Sequence, residues 1–256
     1  MRFQQQPAFV LHQRDYSETS LLLEVFTANH GRIGLIAKGA RRASSRLRGV
    51  LKPFQRLLIG WSGKGELAVL TAAEMDGPGY ELEGPALYCG FYMNEVLIRL
   101  LHRHDSHGAL FDAYQAALPR LRVDGFNEPV LRIFEKHLLR ELGYGLVLDH
   151  DIEDRAPIDA AAMYDYVLDR GPVRLAHPDL NLPTEGVRVR GASLVALARE
   201  SLDDAVVLRD AKTLMRAALA RHLGDRPLHS RKLFRRVAPP IAVETTLETG
   251  LDKAGR

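Results

Sequence analysis

The strongest constraint on the fold is a change of period along the chain. Before residue 75 apolar residues recur at every second position, and beyond residue 87 they recur at helical spacing. Leu21, Leu23 and Val25 alternate with Ser20, Leu22 and Glu24, and Ile33, Leu35 and Ala37 alternate with Arg32, Gly34, Ile36 and Lys38. Side chains two apart share a face of a strand, so Arg32 and Lys38 are expected opposite the apolar face. Ala8 to Arg14, Phe54 to Ile59 and Leu67 to Ala73 are further β-leaning runs. Turn signals stand at Asn29-His30-Gly31, Lys38-Gly39 and Trp61-Ser62-Gly63-Lys64-Gly65. Ser44 to Leu47 reads as one helical turn capped by a serine. Five short strands with a brief helix between the third and fourth predict a small Greek-key barrel of OB type, with an SH3-like barrel as the competing reading.

Two breaks, Met75-Asp76-Gly77-Pro78-Gly79 and Glu83-Gly84-Pro85, end the β pattern. Leu87 to Leu101 then reads as a mostly buried helix, and Ala109 to Leu121 as a second. Asn127 caps a third, with Pro129 in its first turn and Gly143 ending it. Residues 149–190 contain Pro157, Gly171, Pro172, Pro178 and Pro183. They read as a small irregular insertion of weak β content, with a strand pair at Tyr164 to Leu168 and Pro172 to Leu175. Helices resume at Ser193 to Arg199 and Leu208 to Leu223. The expected class is α+β: an OB-type barrel over 1–80, a helical domain with the insertion over 81–237, and a flexible tail over 238–256.

A chain of 256 residues can bury a real core. No stretch reaches 18 consecutive apolar residues, so no transmembrane helix is expected. The first residues, MRFQQQPAFVLHQRDY, lack the features of a signal peptide. A single cysteine excludes an internal disulfide framework and a Cys-based zinc site. A cytoplasmic protein is the simplest reading. The net charge is only +3, but its distribution is uneven. Between Glu24 and Glu66 there is no acid, while Arg32, Lys38, Arg41, Arg42, Arg46, Arg48, Lys52, Arg56 and Lys64 all fall there. Phosphate binding needs clustered cations without competing carboxylates, and beside an OB-type barrel it is favoured over a merely solvated loop.

Catalytic signatures are missing: no G-x-x-x-x-G-K-S/T, no G-x-S-x-G and no H-E-x-x-H occurs. His104 and His107 stand three apart, but Arg103 opposes a cation there, so histidines fraying at a helix end are the favoured reading. Asp149, Asp151, Glu153 and Asp154 around His150 read as a solvated loop, and Cys89 as a small buried hydrophobe. No catalytic set and no cofactor are expected. In the third helix Leu131, Phe134, Leu138 and Leu142 form an apolar stripe, with Arg132, Lys136 and Arg140 nearly opposite. Such a row, edged by Leu139, could hold an acidic peptide with a hydrophobic anchor. On spacing alone, an ordinary exposed face balanced by Glu128, Glu135 and Glu141 is favoured.

Six segments, taken in order, resemble the RecO family of bacterial recombination mediators. They are AFVLHQRDYSETSLLLEVFT (8–27), GRIGLIAKGARR (31–42), LKPF (51–54), LYCGFYMNE (87–95), LRIFEKHLLRELGYG (131–145) and LGDRPLHSRKLF (223–234). The resemblance covers almost the whole chain to about residue 237. It implies an OB domain, a helical domain and a smaller insertion. It implies binding of single- and double-stranded DNA, annealing of complementary strands, and help to the recombinase RecA in replacing single-strand-binding protein (SSB), together with RecR. No catalysis belongs to that role, and the cell compartment implied is the cytoplasm, at the nucleoid. Arg32, Lys38, Arg41, Arg42, Arg46, Arg48 and Lys52 become the expected DNA face. Some members carry a four-cysteine zinc module; with Cys89 alone this chain resembles the zinc-free branch, and no metal is carried over. The family docks the acidic, Phe-ending SSB tail on its helical domain, and the matching position is Arg132, with Lys136 and Arg140 beside it. An RNA-binding OB protein and a protein adaptor without nucleic-acid contact are the alternatives.

Overall fold

The computed structural model describes residues 1–63, 65–124, 127–176, 185–224, 226–230 and 233. Five strands, β1 (Arg2–Tyr16), β2 (Ser20–Thr27), β3 (Gly31–Ala37), β4 (Arg56–Ser62) and β5 (Leu67–Met75), close into a barrel in the order β1-β2-β3-β5-β4. Only β3 and β5 run parallel. This is the OB connectivity, and it displaces the SH3-like alternative. One strand must pair on both sides for the barrel to close, and β1 does so: residues 8–16 with β2 and 2–9 with β4. Its register slips between Phe3 and Gln6, where Gln5 takes φ 52°, and again between Val10 and His12. Such bulges bend a strand and raise its twist, which closure of so few strands requires.

The alternation of β1 serves two cores. Ala8 and Val10 point into the barrel with Leu23, Val25, Ile33, Leu35, Leu57 and Ile59. Phe9 and Leu11 point outward and join Phe26 and Phe54 in the core of the helical half. Each such aromatic contributes about 2–3 kcal/mol of burial. The short helix α1 (Leu47–Val50) follows β3, with Arg46 rather than a serine at its cap and no side-chain cap bond. Backbone turns replace the expected Ser44 cap: Arg42 N–H donates to Gly39, and Ser45 N–H to Arg42.

The helical half is built from α2 (Gly84–Leu100), α3 (Gly108–Asp124), α4 (Glu128–Glu141), α5 (Gly191–Arg199) and α6 (Ala205–Leu223). Asn127 caps α4 by accepting from Val130 N–H at 3.1 Å. The helix ends as expected at Gly143, whose φ of 84° lets Tyr144 N–H return to Leu139 and Gly143 N–H to Arg140. Asp204 caps α6 through Val206 and Val207 N–H. Asn94 on α2 is buried, donates to the Leu11 carbonyl and accepts from Tyr114 Oη, which ties the helices to β1.

The insertion carries the expected strand pair, β6 (Met163–Val167) with β7 (Gly171–Arg174), and a third strand that was not expected, β8 (Val187–Arg190), makes it an antiparallel sheet in the order β7-β6-β8. Tyr164, Tyr166 and Val189 pack it onto the helical core, and Asp165 accepts from the Glu185 and Gly186 N–H groups. The histidine stretch is not a frayed helix end. Residues 101–107 lie along β3 as a strap: Arg32 Nε donates to Leu101, His104 N–H donates to Arg32, and Ser106 Oγ reaches Ala28. Gly31 is obligatory there, because a Cβ would stand 1.7 Å from the Asp105 carbonyl oxygen. The expected tail over 238–256 lies outside the described residues.

Candidate nucleic-acid interface

The connection from β3 to β4, residues 38–55, carries most of the expected DNA-contacting cations. Its apolar members face inward. Ala40 and Leu51 are buried in the barrel core, and Leu47 and Val50 pack against it. What remains outward is Lys38, Arg42, Arg46, Arg48 and Lys52, all exposed. None of these five side chains makes a hydrogen bond or ion pair among the described residues. The loop is therefore ordered by backbone turns and buried apolar anchors, while its cations stay available. Phosphate contacts would then cost little rearrangement.

Arg41 has a different task. Its guanidinium donates to the Ser17 and Glu18 carbonyls at 3.1 Å and pairs with Asp15 at 2.9 Å, while its own N–H donates to Thr19. It fastens the loop to the β1–β2 hairpin. Arg32 is a correction: it does not belong to the free basic surface. Its Nη1 pairs with Glu24 at 2.8 Å and its side chain is 15% exposed. Arg103 of the strap pairs with the other Glu24 oxygen and donates to the Glu66 carbonyl. The sequence pattern placed Arg32 on the outer face correctly, but that face is covered there by the strap. Arg14 on β1 is exposed and lies before the acid-free interval, so the charge pattern did not single it out.

The α4 row does not form one exposed face. Arg132 is 4% exposed and lies among the core residues Val130, Leu131, Ile133 and Phe134. Its Nη2 pairs with Glu135 at 2.7 Å, and Tyr92 Oη also donates to Glu135. Burial pushes the Glu135 carboxyl above its ordinary value, against the pull of Arg132 and Tyr92. Arg132 Nε and Nη1 remain buried with no hydrogen-bond partner among the described residues. Lys136 is spent at the end of α5, donating to the Leu197 and Ala198 carbonyls and pairing with Glu200 at 2.6 Å. Only Arg140 is exposed, beside His137. The row was misread because α3 and α6 both pack on α4, so the side opposite its apolar stripe is not open to solvent.

Cys89 is fully buried, and burial pushes its thiol up to about 12, which suits a small hydrophobe. Among the described residues no group of three His, Cys, Asp or Glu side chains is placed to hold a metal. None of the described helices is long and apolar enough to cross a membrane.

Comparison with known proteins agrees with this architecture. Residues 1–78 match the family described as Recombination protein O N terminal, and residues 82–232 match Recombination protein O C terminal. The DNA repair protein RecO of Nitrosococcus oceani is 49% identical over 234 residues, covering 91% of this chain and 94% of that protein. Its counterpart in Nitrosospira multiformis is 46% identical, covering 91% of this chain and 96% of that protein. That of Methylococcus capsulatus is 47% identical, covering 89% and 91%. With an OB barrel leading into a helical half, matched along both parts, the chain belongs to the RecO family of DNA repair and recombination proteins.

Proposed function

We propose that this chain binds single- and double-stranded DNA through the β3–β4 loop, anneals complementary strands, and with RecR helps RecA replace SSB on single strands. The observation that carries this reading is the set of five exposed cations, Lys38, Arg42, Arg46, Arg48 and Lys52, which have no hydrogen-bond or ion-pair partner among the described residues and stand on an OB barrel. A loop of this kind neutralises phosphates without covering base edges. Two strands held on such surfaces repel each other less and keep their bases free to pair. Binding draws on counterion release, so affinity falls steeply with salt, by about 0.7–0.9 in log–log slope for each phosphate contact.

The test is annealing of complementary single strands coated with SSB, with and without the protein, for the wild type and Arg42→Ala/Arg46→Ala. Faster annealing that the double variant loses supports the reading. Equal DNA affinity and salt slope in both proteins would defeat it. Matched RNA oligomers in competition separate DNA from RNA preference.

The acidic SSB tail is proposed to dock beside Arg132, whose guanidinium is buried against Glu135, so the tail has to displace its cover to reach the two nitrogens that have no hydrogen-bond partner among the described residues. Arg140 is the remaining exposed member of the row, whereas Lys136 is occupied. An acidic peptide ending in Phe, titrated against the wild type and Arg132→Ala, checks this. DNA affinity serves as the control for folding, and equal peptide affinities remove Arg132 from the site.

A further inference from the structure

Ser44 is the residue that the sequence pattern offers as a helix cap and that the fold leaves without that task. It lies in the β3–β4 loop within a run of turns. Arg42 N–H donates to Gly39, Ser45 N–H to Arg42, and Arg48 N–H to Ser45. Ser44 is therefore the third residue of the turn from Arg42 to Ser45. It is exposed, whereas Ser45 beside it is half-buried. Its hydroxyl makes no hydrogen bond among the described residues. The remaining hydroxyls of the acid-free interval are placed differently. Thr27 is buried and donates to the Gly31 carbonyl, and Ser62 ends β4 half-buried.

The charges around Ser44 are of one sign. Arg42 precedes it by two residues, Arg46 follows it by two and Arg48 by four. All three are exposed, with no hydrogen-bond or ion-pair partner among the described residues. Asp15, the carboxylate brought to this loop by the β1–β2 hairpin, is taken by Arg41. A hydroxyl projecting from an ordered turn, with arginines on both sides and no acid from Glu24 to Glu66, has the charge pattern that a kinase with an acidic substrate cleft selects. A phosphate placed there would carry a charge of about −1.5 to −2 at neutral pH and three acceptor oxygens. The turn holds the Cα atoms of residues 42 and 45 within roughly 7 Å, so the long side chains of Arg42 and Arg46 reach the phosphate without unfolding the loop. Guanidinium–phosphate pairs are charge-assisted and frequently bidentate. Being tethered, the phosphate competes with an outside anion at an effective concentration on the order of millimolar.

We propose that Ser44 is a phosphorylation site that switches the β3–β4 loop between an open and a self-neutralised state. The donor is ATP, delivered by a serine/threonine kinase. The bond from Ser44 Oγ to the γ-phosphorus forms, the bond from that phosphorus to the bridging oxygen breaks, ADP leaves, and the hydroxyl proton passes to a base of the kinase. The new phosphate then pairs with Arg42 and Arg46 and occupies cations that a DNA strand requires. A phosphatase, with water as the nucleophile, releases inorganic phosphate and restores the open loop. The proposal rests on the DNA-binding reading above and adds its regulation.

The experiment compares the full chain unmodified and with phosphoserine encoded at position 44. Fluorescence anisotropy on a single strand and on a duplex, over a series of salt concentrations, reads the effect. The phosphorylated chain should bind both on the order of tenfold more weakly at low salt, with a log–log slope lowered by about 1.4–1.8, the share of two phosphate contacts. Phosphatase treatment should restore both, and unmodified Ser44→Ala should bind as the unmodified wild type does. Phosphorus NMR across pH should show the second ionisation of the phosphate below its ordinary value of about 6, a shift that Arg42→Ala/Arg46→Ala removes. Peptide mass spectrometry of the protein isolated from its native cells, with and without a DNA-damaging agent, should find the phosphate on Ser44. Its absence under both conditions overturns the proposal. So do equal DNA affinity and slope in the two preparations. If Arg42→Ala/Arg46→Ala weakens DNA binding but phosphoserine does not, the loop reading stands and the switch falls. If neither weakens it, the loop reading has failed and the switch falls with it.

Discussion

The β3–β4 loop and helix α4 both carry arginine and lysine at close spacing, yet they use them in opposite ways. In the loop five cations project outward with no internal partner among the described residues. In α4, Arg132 and Lys136 are bound to Glu135, Glu200 and the carbonyls closing α5, and Arg140 alone stays outside. The difference lies in what surrounds each stretch. No acid lies within the loop or its flanking strands, whereas α4 has three glutamates of its own and the end of α5 against it. Cations stay available to an outside anion when the fold supplies nothing to satisfy them.

The sharpest way to break this contrast is a charge reversal in the loop. Arg42→Glu/Arg46→Glu/Arg48→Glu should reduce DNA affinity on the order of a hundredfold and lower the salt slope by about two to three. Unfolding free energy from urea titration should stay within about 0.5 kcal/mol, since these side chains have no hydrogen-bond or ion-pair partner among the described residues. A large loss of stability would erase the contrast. Arg132→Met should behave in reverse. It leaves Glu135 buried without its cation, at a cost of about 3–5 kcal/mol in the same urea titration. Adding Glu135→Leu should recover most of that loss, and DNA affinity of the folded protein should hold throughout.

The same pair predicts a pH dependence. Burial raises the folded-state value of Glu135 above its unfolded value. Its contribution is therefore fully present below the ordinary glutamate range and is lost as pH rises through the raised value. Glu135→Gln should flatten that part of the stability profile, measured by denaturation across pH, whereas the loop substitutions should leave it unchanged. Lys136→Met should cost about 1 kcal/mol through the lost contacts at the end of α5, read from thermal unfolding. Arg140→Ala should move stability by less than about 0.5 kcal/mol.

The barrel was legible because each of its strands buries one face, which writes a period of two into the sequence. The loop was legible because an interval without acids leaves its cations no local partner. Arg32 and Arg41 escaped correct reading because their partners, Glu24 and Asp15, lie just before that interval and arrive through strand pairing. Arg132 escaped because helical spacing identifies a face but not how many neighbours enclose the helix. The third strand of the insertion, Val187–Arg190, did carry a signal in its V-R-V-R alternation. Four residues after a proline-bearing stretch were too short to outweigh the turn residues around them.

The alternation of β1 has a practical consequence for anyone wishing to dissect the molecule. Phe9, Leu11 and Phe26 form the outer skin of the barrel and, at the same time, the floor on which the helices rest. Cutting the chain at the end of β5 would bare a sticky apolar patch on the same barrel as the basic loop. A barrel expressed alone should precipitate or self-associate unless those three positions are made polar. Binding studies on such a fragment would then report the adhesiveness of the exposed patch together with any affinity of the loop.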